Sequence, residues 1–185
     1  MYETIQYTRA VAGLLAGLLA GLLAGLLTGL MTAASSQAGV IETDANYQVS
    51  QVAYYQTIAQ SFIAEDSAIK FAFYFTPMNL DWPNTPMVVS LMAGECLGGG
   101  ILATRSFTLA TDFSGFFDAD FSNVALLLGE TYTASIDVTG DSPYWGVSSS
   151  ERDYAGGTGY ANDEVIRNHD WTFRVTPVAQ SADVP

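Results

Sequence analysis

Cations and catalytic bases are what this sequence has least of. Six lysines and arginines stand against nineteen acidic residues, for a formal net charge of −13, and Lys70 is the single lysine. A surface this acidic repels phosphate backbones, which excludes nucleic acid as a partner. The same scarcity excludes a Lys/Arg-led module for membrane surfaces, and charged residues at 14% exclude a charged coiled coil. One cysteine, Cys96, leaves no intrachain disulfide and no cysteine-based zinc cluster. One histidine, His169, rules out chemistry that needs two. No Gly-x-Ser-x-Gly elbow occurs, and Cys96 sits between Glu95 and a glycine run without an activating cation beside it. The runs Gly98-Gly99-Gly100 and Gly156-Gly157 lack the Lys and Ser/Thr of a phosphate loop, so they read as turns. With carboxylates this abundant, chance pairs are expected and carry no glycosidase signal. The expectation is a protein that is not an enzyme.

What is present is apolar material. Hydrophobic residues make up 49% of the 185, enough for a core and incompatible with wholesale disorder. Part of it lies in one unusual run. Residues 11–31 carry no charge and repeat the unit Gly-Leu-Leu-Ala, after a short flank with Arg9 and before the small residues Thr32 to Ala38. That order is a secretory signal, with Ser36 and Ala38 at the −3 and −1 positions of a cut after Ala38. The run is also long enough to span a bilayer, and glycines at 13, 17, 21, 25 and 29 form a ladder of the kind that lets membrane helices approach. An uncleaved anchor over residues 11–31 is therefore the second reading, and the only membrane contact expected. Either way the remainder is exported, to the cell surface or beyond, and must hold together without disulfides.

The remainder reads as strands. Ile69, Phe71, Phe73 and Phe75 share one face of Ser67–Thr76, against Lys70, Ala72, Tyr74 and Thr76. Tyr132, Ala134, Ile136 and Val138 alternate with polar residues in Thr131–Val138, and Trp171, Phe173 and Val175 alternate likewise. Weaker strands are Tyr47–Tyr55, Ala59–Ile63, Pro86–Ala93, Ile101–Leu109, Phe113–Phe121 and Tyr144–Ser149. The gaps are turn-rich, including Tyr154–Gly159 and Asn162–Asp170, and no helical period occurs after residue 45. Eight or nine short strands with no helix to cover a sheet predict an all-β, two-sheet antiparallel sandwich of jelly-roll type over residues 47–178. An immunoglobulin-like topology is the alternative, without its cysteine pair. Residues 39–46 are expected to be a linker and 179–185 a disordered tail.

Several phrases add a resemblance. Ala59-Gln60-Ser61-Phe62, Val89 through Glu95, Leu102-Ala103-Thr104, Leu126 through Tyr132, Tyr144 through Ser150 and Tyr154-Ala155-Gly156-Gly157 follow one another in order. This succession resembles a family of exported bacterial β-sandwich domains, many of which end in a PEP-CTERM-type sorting signal. The likeness covers roughly residues 50–178. It implies export and a sandwich fold and no catalytic residues. No apolar helix with a basic tail follows Pro185: either that sorting signal is absent, or the sequence ends where one would begin.

Two kinds of site remain. Sugar rings stack on exposed aromatics while nearby polar groups meet their hydroxyls. Tyr144 and Trp145, followed by Tyr154 and Tyr160 in a glycine-rich stretch, are candidates for such a platform, with Trp82 as a second loop aromatic. Trp145 opens a strand and has a core position as its competing reading. Calcium prefers hard oxygens on loops, and Asp137 with Asp141 flanks a turn, so a structural calcium is entertained there. The expected function is a non-catalytic binding module for extracellular or envelope polysaccharide, or another surface component. The alternative is a structural surface or matrix protein that acts by self-association, without a small ligand.

Overall fold

The computed structural model describes residues 39–179 apart from positions 56, 79–85, 96, 140–144 and 152–153. The expected signal or anchor in residues 1–38 lies outside these. In chain order the strands are β1 (Ile41–Glu42), β2 (Val49–Gln51), β3 (Ile58–Ile63), β4 (Ile69–Pro77), β5 (Pro86–Ala93), β6 (Ile101–Thr108) and β7 (Gly115–Asp120). They continue with β8 (Thr131–Val138), β9 (Trp145–Ser150), β10 (Gly159–Ala161), β11 (Glu164–Val165), β12 (Asp170–Trp171) and β13 (Phe173–Pro177). No helix occurs among the described residues.

The strands form two antiparallel sheets packed face to face, a β-sandwich. One has the order β11-β10-β3-β8-β5-β6; the other runs β1-β13-β4-β9-β12, with β2 on β9 and β7 on β4. The chain changes sheet at most of its connections after β2, as in jelly-roll sandwiches.

Alternation explains the packing. Ile69, Phe71, Phe73 and Phe75 of β4 point into the core, and Tyr132, Ala134 and Ile136 of β8 face them from the other sheet. Phe71 lies against Phe62 across the sheets at 5.5 Å and stacks on Phe173 at 5.8 Å. Burying each such ring stabilises the fold by roughly 1.5–3 kcal/mol. The other face of β4 is covered by charge and ring together. Arg174 bonds to Asp118 at 2.9 Å and lies 4.6 Å over the Phe116 ring, above the buried Ala72.

The open edge of β6 is guarded. Arg105 points inward, donating to the carbonyl of Asp120 and to Asn123 and lying 5.1 Å over Phe121. Phe107 stacks on Phe117 at 4.2 Å. An inward charge on an edge strand is a recurrent device against edge-to-edge pairing.

The segment expected as a linker contributes structure instead. Ile41 pairs with Val175 in β1–β13, and the Thr43 hydroxyl accepts from the Phe173 N–H at 2.9 Å. Two residues suffice because β13 has a free edge and the threonine side chain extends the ladder.

Candidate functional site

The site is built by a small hairpin laid on the edge of β3. Tyr160 pairs with Ala59, the Ser61 N–H donates to the Thr158 carbonyl at 2.9 Å, and the Thr158 N–H donates to the Ser61 hydroxyl at 2.7 Å. This docking needs Gly157, since a Cβ there would collide with the Ser61 carbonyl. Between β10 and β11 the turn is only Asn162-Asp163, with φ of 52° and 62°. Both residues sit in the left-handed region that a two-residue type I′ turn requires, and Asn and Asp tolerate it best after glycine. Asn168 repeats the conformation at φ 68° and swings the chain back toward β12.

The return is anchored by a buried polar knot. Gln60 projects inward from β3, donating from Nε2 to Asp170 Oδ1 at 2.9 Å and accepting at Oε1 from the Trp171 N–H at 3.0 Å. Asp170 Oδ2 accepts from the Tyr154 N–H. The Trp171 indole N–H donates to the Tyr160 carbonyl at 2.8 Å. These bonds tie the hairpin, β3 and β12 to one another.

Two depressions flank the result. A cleft of about 380 Å³ is lined by Thr158, Ile166, Arg167, Asn168, His169 and others of the hairpin. A second, of about 290 Å³, is lined by Asn46, Tyr47, Gln48, Val49 and Ser148. A pair of rings links them: Tyr47, 54% exposed, lies 5.3 Å from His169, which in turn lies edge-on to Trp171 at 6.4 Å. Tyr47 is held by its own backbone, whose N–H donates to the Ser149 carbonyl at 3.1 Å. The Glu151 N–H donates to Asn46 beside it, at 3.0 Å. His169 Nδ1 lies 3.2 Å from the Arg167 carbonyl, which can only accept, so Nδ1 carries the proton.

The aromatic platform expected from sequence is not what the described residues assemble. Trp145 is 5% exposed and belongs to the core, because alternation along β9 turns it inward with Val147. Tyr160 is 9% exposed, its hydroxyl directed to the Glu95 carbonyl at 3.3 Å. Tyr154 is half-buried and meets Phe173 edge-on at 5.3 Å. Burial holds its phenol above the ordinary range, and the nearby Glu65 and Asp170 charges add to that. Tyr144, Trp82 and Asp141 lie outside the described residues. Tyr47, Arg167, Asn168 and His169 carry no motif that marks them in the sequence as site residues. The run Arg-Asn-His before a strand was the one available signal.

Asp137, the other half of the calcium pair, lies exposed near the end of β8. Its carboxyl is pushed above 3.8 by desolvation and by the charge of Asp163. Among the described residues no group of three His, Cys, Asp or Glu side chains could hold a metal. The raised value carries a stability consequence. Between 3.8 and the folded value the native state holds a proton that the unfolded chain has lost, so stability falls as pH rises through that window. Asp137→Asn should therefore raise stability at neutral pH, by well under ~1 kcal/mol given the exposure, and the melting temperature slightly with it. The gain should vanish below 3.8, where both chains are neutral; calorimetry at the two pH values reads the difference.

No protein-family model matches the chain, and no curated protein does.

Proposed function

We propose that this chain is an exported, non-catalytic β-sandwich module that binds polysaccharide along the Tyr47–His169 ridge. One observation carries the reading: two adjacent clefts meet at a pair of rings, one of them an exposed tyrosine whose backbone is bonded to β9. A repeating sugar chain needs that arrangement, with apolar ring faces to stack on and polar side chains on either side for hydroxyls. The supply is there in Thr158, Asn168, Gln48 and Asn46. Export rests on the first 38 residues, whose order is that of a secretory signal. The resemblance to exported bacterial sandwich domains points the same way.

The self-associating surface protein finds less support. Its natural contact would be the long edge strand β6, where Arg105 stands as a guard. Exposed Leu127 and Leu128, 69% and 66% accessible, and exposed Ile101 and Leu102 at the start of β6 favour it.

A glycan-array screen of the full chain, with and without calcium, tests the proposal. The expected result is a reproducible polysaccharide hit that Tyr47→Ala weakens by about tenfold or more, the worth of one well-packed ring contact. The melting temperature of this variant should be unchanged, since Tyr47 contributes no core surface. A blank on folded protein would turn the reading toward self-association.

A further inference from the structure

We infer that the cleft beside the β10–β11 hairpin takes a carboxylate-bearing sugar, a single uronate unit of a polysaccharide, with Arg167 as its counter-charge; this rests on the polysaccharide reading above. Cations are scarce in this chain, and the other described arginines are in use. Arg174 is bonded to Asp118 and paired with Glu42, and Arg105 is tied to the Asp120 carbonyl and Asn123. Arg167 is exposed on the cleft wall and makes no ion pair among the described residues. In a protein with nineteen acidic residues, that Arg167 has no carboxylate partner among the described residues is the informative fact.

The acid that does line this cleft, Asp170, is buried and already hydrogen-bonded. Its two oxygens accept from Gln60 and from the Tyr154 N–H. A guanidinium presents a planar fork that meets a carboxylate with two parallel bonds, which a neutral sugar cannot return. Asn168 and the His169 ring stand beside it for hydroxyl groups and the ring face, with Thr158, whose hydroxyl donates to Glu95 at 2.6 Å, left to accept. The cleft, at about 380 Å³, falls within the size range of small-molecule sites. The net charge of −13 opposes a long polyanion as it opposes nucleic acid, so what the cleft takes is a single uronate unit set against Arg167. At physiological salt, charges beyond about 8 Å are largely screened, so the nearest cation decides.

The test is calorimetric titration of the full chain with polygalacturonate and polymannuronate oligomers, with the methyl ester of the first, and with a neutral glucan. The methyl ester keeps the sugar and removes the charge. The wild type should bind an acidic oligomer at least about tenfold more tightly than its ester, the scale of one charged hydrogen-bond pair. Arg167→Gln should lose that margin for the acid and change the ester little, while Arg167→Lys keeps part of it. Equal binding of acid and ester overturns the inference, as does an Arg167→Gln variant that keeps full preference for the acid. Binding of the neutral glucan alone also overturns it and leaves the polysaccharide reading in place. Failure with every sugar retires both.

Discussion

Trp171→Ala should lower the free energy of unfolding by about 3–5 kcal/mol, as truncations of fully buried aromatic side chains do. Trp171 is 1% exposed and belongs to the main core cluster. Removing the indole leaves a cavity between two sheets whose backbones are fixed by their own ladders and cannot close over it. The loss has a second component. The indole N–H satisfies the Tyr160 carbonyl, which would be left without that donor in an apolar setting. Trp171→Phe separates the two, since it keeps most of the apolar volume and drops only the hydrogen bond, and about 1–2 kcal/mol should go. Urea denaturation reads both, with a shifted midpoint and an unchanged slope. A Trp171→Ala cost below ~1 kcal/mol would mean that the sheets close over the gap and that the residue is no wedge. The effect reaches the candidate site, because His169 rests its ring against this indole. A destabilised but folded Trp171→Phe should therefore bind sugar less tightly without any loss of a direct contact.

The core was legible from alternation, and the site was not. The four aromatic and aliphatic residues of β4 repeat at a period of two, which no helix tolerates, so their shared face could be named from sequence. β8 and β5 begin and end at the residues that their patterns predict. Trp145 takes the core position that competes with the platform in its sequence context. It opens β9, and its burial is decided by the face of that strand it occupies. The outer face of the six-stranded sheet carried a different surprise. Ser61, Thr133 and Ser135 alternate as a solvent face should, yet all three are buried. The Thr133 hydroxyl donates to the Gly94 carbonyl at 2.7 Å, and Tyr160 and Thr158 both reach Glu95. Turn segments fold over that face, and local pattern holds no record of which loop lies on which strand.

The site itself depends on contacts between distant parts of the chain. Tyr47 and His169 meet only because β2 pairs with β9 while β12 pairs with the end of the same strand. A two-residue turn without glycine, Asn162-Asp163, gave too faint a hairpin signal against the usual Asn-Gly. β10 and β11 are three and two residues long, below the length at which alternation can be counted.

Gln60→Leu should be nearly as costly as the loss of the indole, although it swaps one side chain for another of similar size. Gln60 sits on the inward face of β3 between Ile58 and Phe62, where alternation demands an apolar residue. Its amide is kept there by two partners that have few alternatives: the Asp170 carboxylate and the Trp171 N–H. Leucine gains some apolar contact and leaves a buried carboxylate without one donor and a buried N–H without an acceptor. Each orphan costs roughly 1–3 kcal/mol, so a net loss of about 2–4 kcal/mol is expected. Chemical denaturation of the variant measures it. Gln60→Glu distinguishes the bonding role from a packing role, because its shape is almost unchanged. It would set a second carboxyl against Asp170 across the present 2.9 Å contact, and two like charges that close cannot both ionise. The pair would then titrate above the ordinary carboxylate range. A raised folded value means that stability is present in acid and is lost as pH rises through it, so Gln60→Glu should be destabilised at neutral pH and recover in acid. Gln60→Leu has no added carboxyl and should show no such recovery. The double variant Gln60→Leu with Asp170→Ala should cost less than the two single changes added together, since the second removes the acceptor that the first orphans. Strict additivity would instead mean that Gln60 and Asp170 act independently, and that another contact holds the hairpin of the candidate site against β12.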